Sequence, residues 1–252
     1  GKQKVKTKHS KEIISLIANH TSDFQNVGNV YYAQKDYANA AKAWETFISF
    51  NDASYLGKQK PSLADSILAD INYNIGYMYY ITKDNKKSFN GFANAIKKGF
   101  DKPEVFDLLK YQSQFIVSDF IDKKDYDGAN KFLDTATSDF PKVGLFWVFK
   151  GIVVESKDNI DAALPIYQKA AEVDPDLSLA QFHVGRYYTN KAINLMNSDE
   201  NMNLNDEELS KIINPYCEQA LPYLKKAVEL DKENNNPDAQ RLLRWVEDRL
   251  SK

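Results

Sequence analysis

Residues 147–175 read WVFKGIVVESKDNIDAALPIYQKAAEVDP. In this stretch a glycine, Gly151, is followed twelve residues later by a small residue, Ala163. The same step recurs at two earlier places, from Gly28 to Ala40 and from Gly76 to Ser88. Two helices of about a dozen residues, joined by turns, fill a unit of this kind. The stretch therefore predicts a repeated helical hairpin.

The repeat has a period of 34 residues. That distance separates Ala129 from Ala163, Pro141 from Pro175 and Gly151 from Gly185. Glycine and alanine at a helix crossing allow two helices to approach closely, while large residues fill the surrounding space. One hairpin cannot bury its apolar face alone, so neighbouring hairpins must stack. We therefore expect an all-α protein, an α-α superhelix forming a right-handed solenoid.

The pattern resembles the tetratricopeptide repeat (TPR), which runs W-x2-L-G-x2-Y, then A-x3-F, then P. The fourth repeat matches it with Trp147, Gly151, Ala163, Tyr167 and Pro175. Four further partial matches share its register, with departures such as Val117 in place of a small residue and Ser88 in place of alanine. The resemblance implies about five helix hairpins whose first helices line a concave, ligand-binding face.

We expect three segments along the chain. Residues 1–20 form an N-terminal lead-in or capping helix, with Ile13, Ile14 and Ile17 covering the first repeat. Residues 21–236 form the TPR solenoid and residues 237–252 a C-terminal capping helix that seals its end. The repeats are expected near residues 21–54, 69–102, 110–143, 144–177 and 178–232.

The fifth repeat contains an insertion. Gly185 and Ala220 are 35 residues apart instead of twelve, an excess of 23. Because the sequence on both sides has helical character, we expect the insertion to lengthen both helices of this hairpin, with Asn197–Asn205 at the tip.

Composition excludes some functional classes. A net charge of −2 and a pI near 6.0 argue against nucleic-acid binding, which needs a concentrated positive field. The most basic stretch, beginning at Lys2, lies in the N-terminal lead-in. No apolar run of about 18 residues exists, so we expect a chain that does not span a membrane. The first residue, Gly1 rather than Met, suggests either a residue left over from cloning or the removal of a leader.

Residues off the packing stripe of each first helix should face the concave groove, which we expect to bind a protein or peptide. The sequence has 15 Tyr and 14 Phe, and tyrosine combines large contact area with one hydrogen bond. The predicted partner-binding residues are Asn29, Tyr32, Tyr73, Asn74, Tyr77, Tyr80, Tyr111, Phe115, Phe149, Phe182 and Arg186.

Co-chaperone TPR domains grip a C-terminal carboxylate with lysine, arginine and asparagine. Asn29 and Asn74 match the two asparagine positions of that motif, but Gln25, Tyr111 and Phe115 stand where its cations should be. Without positive charge a carboxylate has no strong partner. The sequence therefore argues against recognition of a chaperone tail.

No enzymatic motif, cofactor motif or zinc motif is found, and we predict no catalytic residue, cofactor or metal. Cys217 is interpreted as a small packed residue. One weak calcium-loop pattern remains, formed by Asn197, Asp199, Asn201, Asn203 and Glu208. Met202 stands where that loop needs glycine. The alternative is that Asn205 and Glu208 form a helix capping box.

The leading hypothesis is a non-enzymatic interaction scaffold with an aromatic groove. The repeats also resemble TPR proteins of bacterial cell envelopes, which implies a periplasmic or surface location once a leader is removed. Two alternatives stay open, a structural role in envelope assembly and glycan binding at the surface, since stacked aromatic rings also hold sugars.

Overall fold

The computed structural model describes residues 10–251, which are helical and turn structure without any strand. Within that range the α-helices are α1 (Ser10–Asn19), α2 (Thr21–Ala33), α3 (Tyr37–Ser49), α4 (Asp65–Ile81), α5 (Asn85–Lys97), α6 (Pro103–Asp122), α7 (Tyr126–Asp139), α8 (Gly144–Lys157), α9 (Ile160–Val173), α10 (Ser178–Met196), α11 (Asp206–Leu230) and α12 (Pro237–Leu250). Two short 3-10 segments, Phe50–Asp52 and Ser54–Gln59, follow α3. The basic stretch that begins at Lys2 lies outside the described residues.

The chain forms two compact units, one ending at Ile116 and one beginning at Val117, so that the boundary falls within α6. In the first unit α2 packs against α3, α3 against α4 and α4 against α5. In the second unit α8 packs against α9, α10 against α11 and α11 against α12. Each unit is therefore built from helices that pack against their neighbours in sequence. The division of residues 21–236 into five repeats stays a prediction.

The turn inside three of the hairpins has one recurring chemistry. Lys35, Lys83 and Lys124 adopt positive φ angles of 61°, 61° and 56°. An aspartate follows each lysine, and its side chain accepts a hydrogen bond from a backbone N–H in the first turn of the next helix, as Asp125 does from Gly128 at 2.9 Å. Such N-capping satisfies a donor that the helix leaves free. In each of these three Lys-Asp pairs, the lysine forms the turn and the aspartate caps the next helix.

Glycine on the first helix of a hairpin lies against a large side chain on the second. Gly28 meets Trp44, Gly76 meets Phe92 and Gly151 meets Tyr167, always sixteen residues apart. Gly185 meets Leu224, and the separation of 39 residues exceeds sixteen by the predicted insertion of 23. Because a Cβ at these glycines would collide with the facing ring or with Leu224, the register of each hairpin depends on them.

The backbones of α4 and α5 approach each other closely. A Cβ at Gly91 on α5 would lie 2.5 Å from the Cα atom of Gly76 on α4. Ser88, fully buried on α5, donates a 2.9 Å hydrogen bond to the carbonyl oxygen of Gly76. Serine therefore replaces the expected alanine without leaving a buried hydroxyl unpaired.

The insertion after Gly185 lies in two long helices, α10 and α11. Helix α10 continues to Met196, α11 begins at Asp206, and a turn region over 197–205 joins them. The predicted capping box is also present, since Asn205 and Glu208 exchange backbone-to-side-chain hydrogen bonds of 3.0 and 3.1 Å. Glu208 is thereby used at the start of α11, as the alternative to the calcium loop requires.

The two ends of the described chain differ from each other. Helix α12 buries Ala239, Leu242 and Val246 in a core shared with α11, as the apolar stripe predicts. Helix α1 buries no residue completely, and Ile13 is exposed. The expectation that Ile13 covers the first repeat is therefore wrong, whereas Ile14 and Ile17 are partly buried. Helix α1 contacts α2 and the segment Ser54–Gln59.

Candidate functional site

The first unit carries a row of aromatic rings on α4. Tyr73, Tyr77 and Tyr80 are spaced by four and three residues, which places them on one face of the helix. The Tyr73 and Tyr77 ring centroids are 6.2 Å apart and nearly parallel, with an interplanar angle of 16°. Tyr77 and Tyr80 follow at 5.8 Å and 27°. The helix therefore presents three consecutive rings in stacked contact.

Helix α6 extends this row by two further rings. The Tyr111 ring lies 6.3 Å from that of Tyr80 in an edge-on arrangement, and Phe115 lies 4.8 Å from Tyr111. We call Tyr73, Tyr77, Tyr80, Tyr111 and Phe115 the aromatic strip. All five belong to the set predicted from the sequence, and the structure brings them into one continuous chain of contacts within the first unit.

The aromatic strip is anchored at one end and open along the rest. Tyr73 is half-buried and stacks on Phe100 at 4.5 Å and 10°. Burial, together with the neighbouring Tyr77 and Glu104, raises the pKa of Tyr73, so its hydroxyl stays protonated as a donor at neutral pH. Tyr77, Tyr111 and Phe115 keep 39%, 47% and 41% of their surface exposed. A contiguous exposed aromatic surface of this kind is typical of an interaction site.

A cavity of about 480 Å³ lies at the α6 end of the aromatic strip. Its apolar walls come from Tyr80, Ile81, Tyr111 and Phe115. The remaining lining residues are polar: Lys83, Asn85 and Gln112. Gln112 was not predicted from the sequence, although a signal exists. It lies three residues after Leu109 and four before Ile116, on the buried stripe of α6, where a polar residue is unusual.

Three other predicted residues of the first unit have different surroundings. Asn29 on α2 accepts a 3.3 Å hydrogen bond from the Trp44 indole. Tyr32 is exposed and its ring contacts are with Tyr37 and Trp44, at 6.1 and 6.0 Å. Asn74 is exposed on α4 beside Tyr73. Asn29 and Tyr32 are therefore grouped around Trp44 in the first hairpin.

In the second unit the structure differs from the prediction. Phe149 and Phe182 are only 8% and 9% exposed. Phe149 packs with Leu133 and Val153, and Phe182 belongs to the core that includes residues of α11 and α12. The expectation that these two rings line an open groove is wrong, because the neighbouring helices of the second unit cover both.

The third predicted residue of the second unit, Arg186, is held by an ion pair. Its guanidinium lies 2.5 Å from a carboxylate oxygen of Glu155, and about three quarters of each side chain is buried. The same carboxylate oxygen accepts a 2.6 Å hydrogen bond from the hydroxyl of Tyr167. We call Glu155, Tyr167, His183 and Arg186 the polar cluster. Arg186 is therefore already paired with Glu155 on α8.

His183 completes the polar cluster. Its ring stacks on Tyr167 at 4.5 Å, and its Nδ1 lies 3.2 Å from the Arg186 guanidinium. Burial, and to a lesser degree the charge of Arg186, lower the pKa of His183 to about 3. Burial and the hydrogen bond to Glu155 raise the pKa of Tyr167, which keeps its hydroxyl protonated as the donor. The imidazole is therefore neutral at physiological pH.

Two further observations apply to residues 10–251. No group of three or more His, Cys, Asp or Glu side chains within that range is placed to hold a metal ion. Among the same residues no helix combines the length and the apolar character that crossing a bilayer requires. Cys217 is buried, and this burial raises the pKa of its thiol, in keeping with a packed side chain.

Comparison with solved structures identifies the fold. A TPR repeats protein from Bacteroides fragilis NCTC 9343 aligns over 90% of this chain and 98% of its own, at 16% sequence identity and a TM-score of 0.50. The chain has the TPR fold. The predicted all-α class of stacked helix hairpins is thereby confirmed.

Two other structures show a weaker likeness. YrrB, a TPR protein with an unusual peptide-binding site, is 15% identical over 96% of this chain and 98% of its own, with a TM-score of 0.42. The TPR2AB domain of yeast Sti1, in a complex with pHSP90, is 14% identical over 93% of this chain and 99% of its own, with a TM-score of 0.38. No protein-family model and no curated relative matches the sequence.

Proposed function

We propose that this TPR protein is a non-enzymatic interaction scaffold that binds an extended peptide, or an extended segment of a partner protein, along the aromatic strip. The observation that carries the proposal is the unbroken contact of five rings, of which three are exposed by 39–47%. A partner that covers these exposed rings removes apolar surface from water, which stabilises the complex.

The chemistry of the aromatic strip favours a peptide. The tyrosine rings are already restrained because they stack on one another. Binding a peptide therefore costs little additional side-chain entropy. The tyrosine hydroxyl groups supply hydrogen bonds that a peptide backbone can use.

Glycan binding is the second candidate, because the near-parallel faces of Tyr77 and Tyr80 suit a sugar ring as well. This second candidate uses the same aromatic strip as the first and differs from it only in the ligand that is bound. A role in envelope assembly and a periplasmic or surface location stay predictions from the sequence resemblance alone.

To test the proposal, peptides that bind the immobilised protein are selected from a random library. We expect the affinity of a selected peptide to fall at least about tenfold in the Tyr73→Ala, Tyr77→Ala double variant, which corresponds to roughly 1.4 kcal/mol. Tyr55→Ala is the control, since Tyr55 is an exposed tyrosine of the first unit that lies outside the aromatic strip, in the 3-10 segment Ser54–Gln59. Equal affinity of the double variant and the parent protein would overturn the proposal.

A further inference from the structure

The first two helices of the first unit expose apolar side chains that do not belong to the aromatic strip. On α2, Phe24, Val27 and Val30 follow one another in steps of three residues, which places them along one side of the helix. On α1, Ile13 and Leu16 are one turn apart. These five residues keep between 39% and 60% of their surface in water. We call them the N-terminal face.

The N-terminal face lies in a part of the chain that has almost no charge. Residues 13–34 contain one Asp, Glu, Lys or Arg residue, Asp23, whereas such residues make up 27% of the whole chain. The carboxylate of Asp23 lies 2.7 Å from Nδ1 of His20, so it is already paired within the chain. The cores of protein–protein interfaces show the same depletion of charged residues.

Helix α12, the last described helix, shows what a solvated terminal helix looks like. Its apolar residues lie in the core, and its outer positions carry charge. These exposed charged residues are Arg241, Arg244, Glu247 and Asp248. A repeat array needs a polar outer surface of this kind on its terminal helices to stay soluble. The N-terminal face lacks such a surface and therefore needs a cover.

The sequence and charge of the chain favour a second copy as that cover. The nine residues before α1 are polar, with four lysines and one apolar side chain, Val5. In a two-fold dimer each face meets its own copy, so any charge near the axis would lie opposite a like charge. A neutral, apolar face avoids this repulsion. A foreign partner would place no such restriction on the charge.

The size of the N-terminal face also matches what a dimer needs. Five residues that are each about half exposed leave roughly 500 Å² of mainly apolar surface in water, and a stable interface buries about 800 Å² on each partner, of which somewhat more than half is apolar. Pairing the face with a second copy therefore supplies the apolar area of a standard interface. Exposed polar neighbours such as Asn26 provide a rim.

We propose that the protein self-associates through the N-terminal face as a two-fold symmetric dimer. Val27 is the middle residue of the apolar side of α2, so it lies at the axis and meets Val27 of the second copy. Phe24 of each copy then meets Val30 of the other, and the two α2 helices run antiparallel. The aromatic strip takes no part in this contact, so the dimer goes beyond the proposed binding of a peptide.

The first test measures the mass of the full chain by analytical ultracentrifugation over about 1–200 μM, since interfaces of this size have micromolar or tighter affinity. Val27→Glu places two like charges at the axis and should weaken dimerisation at least about a hundredfold. Ile67→Glu is the matched control, because Ile67 on α4 is 45% exposed against 44% for Val27, and it should leave the dimer intact. Circular dichroism checks that both variants are folded.

A second test exchanges the sign of the charge at the axis. Val27→Lys should also be monomeric, since it again places like charges opposite each other. Mixing equal amounts of the Val27→Glu and Val27→Lys proteins should restore a dimer, because opposite charges then meet. A variant that had merely lost its fold would not be rescued in this way.

The outcomes decide whether the N-terminal face meets its own copy. A parent chain that stays monomeric at the highest concentration would overturn the dimer, and so would a dimer that Val27→Glu leaves intact or a mixture of the two charged variants that fails to associate. If the chain is monomeric and a library-selected peptide needs Val27 for binding, the face serves a different partner and the dimer is wrong. Val27→Glu should bind peptides that depend on Tyr73 and Tyr77 as tightly as the parent does, so the dimer and the peptide site are tested independently.

Discussion

The aromatic strip of the first unit and the polar cluster of the second share two positions of the repeat. Counted from the glycine of each first helix, Tyr77 corresponds to Arg186 and Tyr80 corresponds to Glu155. In the first unit these positions hold exposed or half-exposed rings in contact with one another. In the second they hold an ion pair that is mostly buried. The repeat therefore sets which way a side chain points, while its neighbours decide whether it is available to a partner.

The largest expected difference concerns two phenylalanines from the same predicted site. Phe149→Ala in the second unit should lower the free energy of unfolding by about 3–5 kcal/mol, because the ring is packed in the core. Phe115→Ala in the first unit should cost less than about 1.5 kcal/mol, since much of that ring is already in water. Chemical denaturation followed by circular dichroism measures both. Similar losses for the two variants would show that the strip is not an accessible surface.

A second difference lies in the response to acid, which the polar cluster controls. The folded protein holds the pKa of His183 near 3, whereas the unfolded chain takes up a proton near pH 6.5. As the pH falls below 6.5, protonation therefore favours the unfolded state. Between about pH 7 and pH 4.5 this residue should remove roughly 2.5 kcal/mol of stability.

His183→Gln removes this titration and should show a correspondingly smaller loss over the same pH range. His20→Gln is the control, because His20 is exposed on the surface of the first unit, where it pairs with Asp23. The two variants are compared by thermal unfolding at several pH values. An unchanged pH dependence in His183→Gln would mean that the imidazole is not buried in its neutral form.

The third difference concerns the ion pair itself. Arg186→Met should destabilise the protein by about 1–3 kcal/mol, because Glu155 would keep Tyr167 as a donor but lose its cation in a partly dry environment. Lys157→Met breaks an exposed pair with Asp127 in the same unit and should leave stability unchanged within error. Equal effects of the two substitutions would indicate that the Glu155 carboxylate is well solvated.

The hairpin architecture was predictable from the sequence because steric contacts fix it. The sixteen-residue step from Gly151 to Tyr167 and the 23-residue excess after Gly185 both appear directly in the spacing of residues. The same periodicity predicts that the three tyrosines of the aromatic strip on α4 share one face of that helix. These features depend on local geometry. The spacing of residues therefore predicts them even when the helices that pack alongside are not known.

Accessibility was not predictable in the same way. Phe149 and Phe182 lie on first helices, as the exposed rings do, but their burial depends on what packs beside α8 and α10. Glu155 and Arg186 are 31 residues apart, and only the folded unit shows that they pair. Gln112 is a polar residue on an apolar stripe, and the sequence alone does not reveal that its oxygen lacks a partner.

A smaller effect on stability than at Arg186 is expected at Tyr77, its counterpart in the first unit. Its ring is 39% exposed, and its ring contacts are with Tyr73 and Tyr80, so Tyr77→Ala should lower the free energy of unfolding by less than about 1 kcal/mol. Binding of a selected peptide should nevertheless weaken about tenfold, since the ring sits in the middle of the proposed surface. Tyr77→Phe keeps the ring and loses only the hydroxyl, and it should retain most of the affinity.

The pairing of a small stability effect with a large binding effect is what distinguishes a recognition residue from a packing residue. Arg186→Met should show the reverse pattern, with a clear loss of stability and little change in peptide affinity, because its guanidinium is held by Glu155. Calorimetric titration of both variants with one peptide, together with their melting temperatures, makes the comparison directly. If Arg186→Met weakened binding as much as Tyr77→Ala does, the partner would engage the second unit as well, and the aromatic strip would be only part of the site.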